Sequence, residues 1–143
     1  MKTMSFEEIL AKDGKLVYKT RGTSMLPMLR QNRDLVVIVP PSGSLHRYDA
    51  ALYKRGQQYV LHRVIDIRED GYVFRGDNTY LPEPGITDRD IVGVLQAFIR
   101  GGKMIPVTDR KYRLYVHFWC ATFTLRAAAV RIIRRLKRLF GNE

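Results

Sequence analysis

Through the first hundred residues the apolar positions come in short runs broken by turn-forming residues, and beyond residue 108 they recur every three or four positions. The first pattern predicts strands. Residues 35–39 are rich in β-branched side chains, follow the turn signal Asn32-Arg33-Asp34 and stop at Pro40-Pro41, as a buried strand does. Similar segments over 15–20, 50–54, 59–67, 72–75 and 91–100 are separated by Arg55-Gly56, Asp70-Gly71 and a proline-rich loop. Ahead of them, Ser5-Phe6-Glu7-Glu8 has the form of a capping box and predicts a short helix ending near Gly14. Strands so closely spaced, with no helical pattern between them, predict a mainly β fold: a coiled antiparallel sheet or a small barrel.

The second pattern predicts an amphipathic helix. Leu125, Ala129, Ile132, Leu136 and Leu139 fall on one face, and Arg126, Arg131, Arg134, Lys137 and Arg138 on the other. The chain therefore divides into a β domain over 1–110 and a basic C-terminal helix over 111–143.

Charge sharpens that division. The net charge is +11, and residues 1–110 contribute +4 of it while the last 33 contribute +7. The 143 residues suffice for one core of ordinary size. Cys120, the single cysteine, has no disulfide partner and no metal-ligand spacing around it, so it reads as a small buried hydrophobe; neither metal nor cofactor is expected. Glu7 and Glu8 interrupt any secretory signal at the N-terminus. The longest nearly uncharged stretch, 114–125, falls short of the roughly 20 residues a bilayer-spanning helix needs. The expected location is the cytoplasm or the membrane periphery.

Three blocks carry the chemistry. The first is Gly22-Thr23-Ser24-Met25-Leu26-Pro27-Met28-Leu29, followed by Asp34-Leu35-Val36-Val37; the second is Tyr48-Asp49-Ala50-Ala51-Leu52-Tyr53, running into Val60-Leu61-His62-Arg63-Val64-Ile65; the third is Gly76-Asp77-Asn78, leading to Ile91-Val92-Gly93. Ser24 sits where a strand gives way to a glycine-flanked turn, which exposes a hydroxyl and leaves backbone N–H groups free to hold an oxyanion. Taken in order, over about residues 17–95, the blocks resemble the signal peptidase I superfamily, which also includes the LexA-like, self-cleaving SOS repressors. The resemblance implies that fold and makes Ser24 the nucleophile, with Gly22, Thr23, Met25 and Pro27 around the substrate. His62 occupies the position where many members have a lysine base, a replacement similar to the endoplasmic-reticulum type of signal peptidase. Histidine suits the task, because its ordinary pKa of about 6.5 lies near working pH.

A histidine base needs a group that fixes its tautomer. Asp77 belongs to the shared block, and in the histidine-type enzymes the acid is thought to lie a few residues further on, which brings Glu83 forward, ahead of Asp88 and Asp90. Asp77 and Glu83 stand as equal candidates. The chain departs from the family at Gly22, where many bacterial members have a serine that assists the oxyanion. It also lacks the expected N-terminal membrane anchor and the repressors' DNA-binding domain, so a minimal catalytic core is expected.

The function implied is a serine endopeptidase cutting a leader or precursor peptide, with small residues beside the scissile bond. Two other readings stand beside it: a non-catalytic peptide-binding module of the same fold, and a membrane-surface adaptor acting through the tail. Arg126, Arg131, Arg134, Arg135, Lys137 and Arg138 suit an anionic membrane, with Tyr115, Phe118 and Trp119 at its boundary. A helix packed on the sheet through its apolar face explains the same pattern. Nucleic acid is the weakest partner, since no DNA-binding motif accompanies the charges.

Overall fold

The computed structural model describes residues 3–141. Helix α1 (Phe6–Asp13) starts at the expected capping box: Glu8 N–H donates to Ser5 Oγ at 3.2 Å, and Ser5 N–H donates to Glu8 Oε2 at 3.0 Å. Gly14, at φ 72°, turns the chain out of the helix, a conformation that a side chain would strain. Seven strands follow before the chain reverses for the last time: β1 (Leu16–Lys19), β2 (Asp34–Val39), β3 (Ala50–Arg55), β4 (Gln58–Arg68), β5 (Gly71–Arg75), β6 (Glu83–Ile86) and β7 (Ile91–Arg100). β8 (Lys103–Pro106) returns along β7. All pairings are antiparallel, in the order β1-β2-β7-β3-β4-β5-β6, with β8 also on β7. Among the described residues the sheet is open, with β1 and β6 at its ends, so the antiparallel sheet of the sequence expectation is present and the closed barrel is not.

Strand β3 shows how the core is divided. Its side chains alternate between two clusters: Ala50 and Leu52 pack with Leu10, Met25, Met28, Leu29, Val36 and Phe98, while Ala51 and Tyr53 pack with Leu45, Val64, Tyr72 and Phe74. Both faces of this central strand are buried, which is why its sequence is a continuous apolar run rather than an alternation.

Two strands fall outside the sequence expectation. β6 contains Pro84 and reads as loop, yet it is an edge strand, where a missing N–H costs no ladder bond. β8 is joined to β7 by the two-residue turn Gly101-Gly102, both at positive φ (58° and 77°), the geometry that two-residue hairpins require.

The C-terminal region also differs from the single helix over 111–143. Helix α2 (Arg110–Ala121) and helix α3 (Phe123–Phe140) meet at Thr122 with a 55° bend. Asp109 caps α2, accepting from Tyr112 N–H at 3.0 Å. Val116 of α2 is buried and Tyr112 and Tyr115 pack against the main core, so α2 belongs to the body. From Arg131 to Phe140 every residue of α3 is exposed.

Candidate active site

The site begins with two sheet edges that have no strand on them. β1 pairs only with β2, and β5 covers the outer edge of β4 only from Arg63 onward, leaving Gln58–Leu61 uncovered. Between these edges lies a groove of about 1100 Å³, bordered by Tyr18 and Lys19 on one side and by Tyr59, Val60 and Leu61 on the other. Phe6 closes its end, its ring 5.1 Å from that of Tyr18 and 4.5 Å from that of Tyr59. Burial raises the Tyr18 hydroxyl pKa to about 12, so it stays a neutral donor.

Ser24 lines this groove together with Gly22 and Met25. The turn that carries it is held from below: Asn78 N–H donates to Ser24 O at 2.8 Å and Asn78 Nδ2 to Thr23 O at 3.1 Å. Gly22, at φ 79°, donates its N–H to Gln31 Oε1 at 2.6 Å. Met25 is buried beneath the groove, its sulfur facing the N–H of Asp77 at 3.4 Å. Among the described residues, the N–H groups of Ser24 and Met25 donate to no protein acceptor, and the buried Thr20 hydroxyl, also on the groove, has no partner. Thr23 and Pro27 are not part of the groove, contrary to the sequence expectation. The Thr23 carbonyl is turned toward Leu26 and Asn78, and Pro27 lies on a second cavity of about 450 Å³ beside Met28 and Tyr112.

Gly76 is what brings the serine turn and His62 together. A Cβ at this position would lie 2.6 Å from Ser24 O and 3.0 Å from both Cδ2 and Nε2 of His62. Only a residue without a side chain fits between the serine backbone and the imidazole, which gives the glycine of the third block a steric reason. Among the described residues no hydrogen bond joins the Ser24 hydroxyl directly to His62.

The other nitrogen of the ring meets Tyr53, which closes the first half of the second block and to which the sequence assigned no role. His62 pairs across the ladder with Ala51, whose small side chain leaves room on the face that Tyr53 shares, and His62 Nδ1 lies 3.3 Å from Tyr53 Oη. Tyr53 donates its proton to Glu83 Oε1 at 2.8 Å, so its oxygen is left to accept from Nδ1–H. That fixes the tautomer with Nε2 unprotonated, on the side of Gly76 and Ser24. Arg55 balances Glu83, with Nη2 2.8 Å from Oε1. Burial lowers the His62 pKa below 6.5; the Arg55 charge adds to this, while Glu83 and Asp77 oppose it. Burial, reinforced by Glu83, also raises the Tyr53 pKa, so the bridge stays a phenol.

Of the two candidate acids, Glu83 reaches the imidazole through Tyr53 and Asp77 does not reach it by a hydrogen bond. Asp77 makes a bidentate ion pair with Arg63 (2.8 and 3.0 Å), both side chains almost completely buried. It accepts from Tyr115 Oη at 2.9 Å, and its carbonyl accepts from Trp119 Nε1 at 2.7 Å. Arg63 also donates to Tyr48 O and Tyr112 Oη. Asp88 and Asp90 are engaged elsewhere, Asp88 by Tyr72 Oη at 2.7 Å and Asp90 by the N–H of Thr87 at 2.9 Å. Among the described residues no cluster of His, Cys, Asp and Glu is placed to hold a metal ion, and Cys120 is half-buried, its thiol pKa pushed up by burial.

What the sequence missed is the role of Tyr53, and Thr20 on the groove that Ser24 lines. The first follows from cross-strand register and the second from how the end of β1 packs, and no local motif encodes either. Comparison with known protein families, curated proteins and solved structures gives no match for this chain.

Proposed function

We propose that the protein is a serine endopeptidase of the signal peptidase type, with Ser24 as nucleophile and His62 as general base. The observation that carries this reading is Gly76: on its two sides lie the serine backbone and the Nε2 edge of an imidazole whose tautomer Tyr53 has set. An extended peptide lies in the groove as an added strand, bonding to the uncovered edges of β1 and β4. The Thr20 hydroxyl gains a partner from it.

In the reaction Ser24 Oγ attacks the scissile carbonyl as Nε2 takes its proton, and the oxyanion accepts from the unused N–H groups of Ser24 and Met25. The imidazolium is stabilised by the charge of Glu83, carried through Tyr53. Nε2 then protonates the leaving amine. Water, deprotonated by the same nitrogen, releases the acyl group and restores the serine. His62 is suited to this cycle because its lowered pKa keeps it neutral in the resting state at neutral pH. The substrate fitting such a groove is an unfolded segment, such as a leader or precursor peptide.

The test is labelling by a fluorophosphonate probe together with cleavage of a peptide library. Labelling of the wild type, lost in both Ser24→Ala and His62→Ala, is the expected result. A wild type that binds peptides but neither labels nor cleaves overturns the enzyme and leaves a peptide-binding module, a reading favoured by the missing Ser24–His62 hydrogen bond.

A further inference from the structure

We propose that α3 is a docking helix for the surface of an anionic lipid bilayer. The inference stands apart from the peptidase reading and rests on how the helix is turned. Phe123, Arg126, Ala127 and Val130 are its half-buried residues, so this is the side that meets the body. Arg75 lies 3.4 Å from the centre of the Phe123 ring, and Arg126 lies 3.6 Å from that of Trp119, fixing the start of α3 against the end of β5 and against α2. The apolar stripe points the other way. Leu125, Ile132, Ile133, Leu136, Leu139 and Phe140 are between 49 % and 80 % exposed. The alternative of a helix packed on the sheet through its apolar face is therefore overturned, because the helix touches the body with the opposite side.

An 18-residue helix extends about 27 Å, and here its whole apolar side is in water. Exposed apolar surface of that extent marks an interaction site. Charge identifies the occupant. Arg131, Arg134, Arg135, Lys137 and Arg138 cover the remaining arc beyond Arg126, which is held on Trp119, and α3 has no acidic residue. A helix lying in a bilayer interface buries such a stripe among acyl chains while its arginines reach anionic headgroups, and the body then sits on the aqueous side. A second copy of the chain is disfavoured, since pairing α3 with α3 brings together two helices that are both strongly basic and hold no acidic residue to offset the repulsion. Nucleic acid would engage the cations and leave the stripe exposed. No single helix among the described residues is long and apolar enough to cross a membrane. Of the bent pair α2–α3, which together has the length, α2 is held on the body by Val116, Tyr112 and Tyr115, which leaves α3 to lie along the surface.

The full chain is tested by flotation with vesicles of phosphatidylcholine alone or mixed with phosphatidylglycerol, with far-ultraviolet circular dichroism as a check on folding. The wild type is expected to float with the mixed vesicles at low salt and to remain below with phosphatidylcholine alone. Ile132→Glu combined with Leu136→Glu should lower the bound fraction at least about tenfold without loss of helix in the body, because both positions are exposed. Arg134→Gln combined with Arg138→Gln should lower partitioning roughly tenfold to thirtyfold, and added salt should act in the same direction. The proposal is overturned if the wild type ignores the mixed vesicles, or if binding survives both double variants. It is also overturned if sedimentation shows a dimer that Ile132→Glu dissolves, which would give the face to a second copy.

Discussion

Two polar regions lie on either side of Gly76, and they differ in how completely they are satisfied. Around Arg63 and Asp77 every strong donor and acceptor has a partner: the carboxylate is shared by the guanidinium and Tyr115, and the guanidinium reaches Tyr48 O and Tyr112 Oη as well. Around Ser24 and His62 the capacity is unused: among the described residues, the backbone N–H groups of Ser24 and Met25 and the Thr20 hydroxyl, all on groove-lining residues, have no protein partner, nor has His62 Nε2, which lies beside Gly76 rather than on the groove. A buried network that is complete holds a fold in place and has nothing left for a ligand. The incomplete one keeps that capacity.

Mutation should separate the two regions cleanly. Ser24→Ala is expected to reduce kcat/KM by about 10⁴-fold or more, with an unfolding midpoint close to that of the wild type. Steady-state cleavage and urea titration measure the two arms. Asp77→Ala should do the reverse, leaving Arg63 charged, buried and unpaired and lowering stability by about 3–5 kcal/mol. A Ser24 variant as unstable as the Asp77 variant would erase the contrast.

A smaller effect lies in the bridge between imidazole and carboxylate. Tyr53→Phe removes the acceptor for Nδ1–H and should lower kcat by about 10–100-fold while changing KM little, as expected for loss of a group that orients a catalytic side chain. Glu83→Gln adds a signature that a packing role would not produce. Glu83 raises the His62 pKa and Arg55 lowers it, so removing the carboxylate leaves Arg55 unopposed and moves the acid limb of the pH–rate profile further down. In the wild type that limb should rise through a midpoint below 6.5 and level off by neutral pH, since the base must be unprotonated.

The smallest effect is on stability against pH. A histidine whose folded pKa is depressed takes up its proton more readily when unfolded, so its contribution is complete above about pH 6.5 and declines as the pH falls through the folded midpoint. His62→Gln should flatten that part of the stability curve. Asp34, buried and held by Arg33 and Arg100, acts in a lower window: burial alone would raise its pKa, but the hydrogen bonds from Arg100 and Arg33 outweigh this and hold it well below the usual carboxylate range. Stability from that site persists above about pH 4 and is lost only in stronger acid.

Much of this architecture is legible in the residues. The capping box at Ser5 and the β-branched run at residues 35–39 rest on local preferences, and both are found where expected. The serine turn, the histidine and the glycine are legible as a group, although the reason for Gly76 becomes visible only when Ser24 and His62 close on it. Tyr53 was legible as part of a block but its place beside the imidazole was not, because that contact depends on a ladder register that pairs His62 with Ala51. The choice between Asp77 and Glu83 was equally closed to inspection. Both acids follow the same strand, and only the position of Arg63 separates their roles.

Spacing and side-chain type were enough to set most of the strands, the opening helix and the two-faced character of α3, since all of these depend on neighbours in the chain. Which carboxylate serves the imidazole, where a peptide can lie, and which way the apolar stripe of α3 turns depend on contacts between residues far apart in sequence. Those contacts are made by packing the whole chain at once, so they have no signature in any short segment.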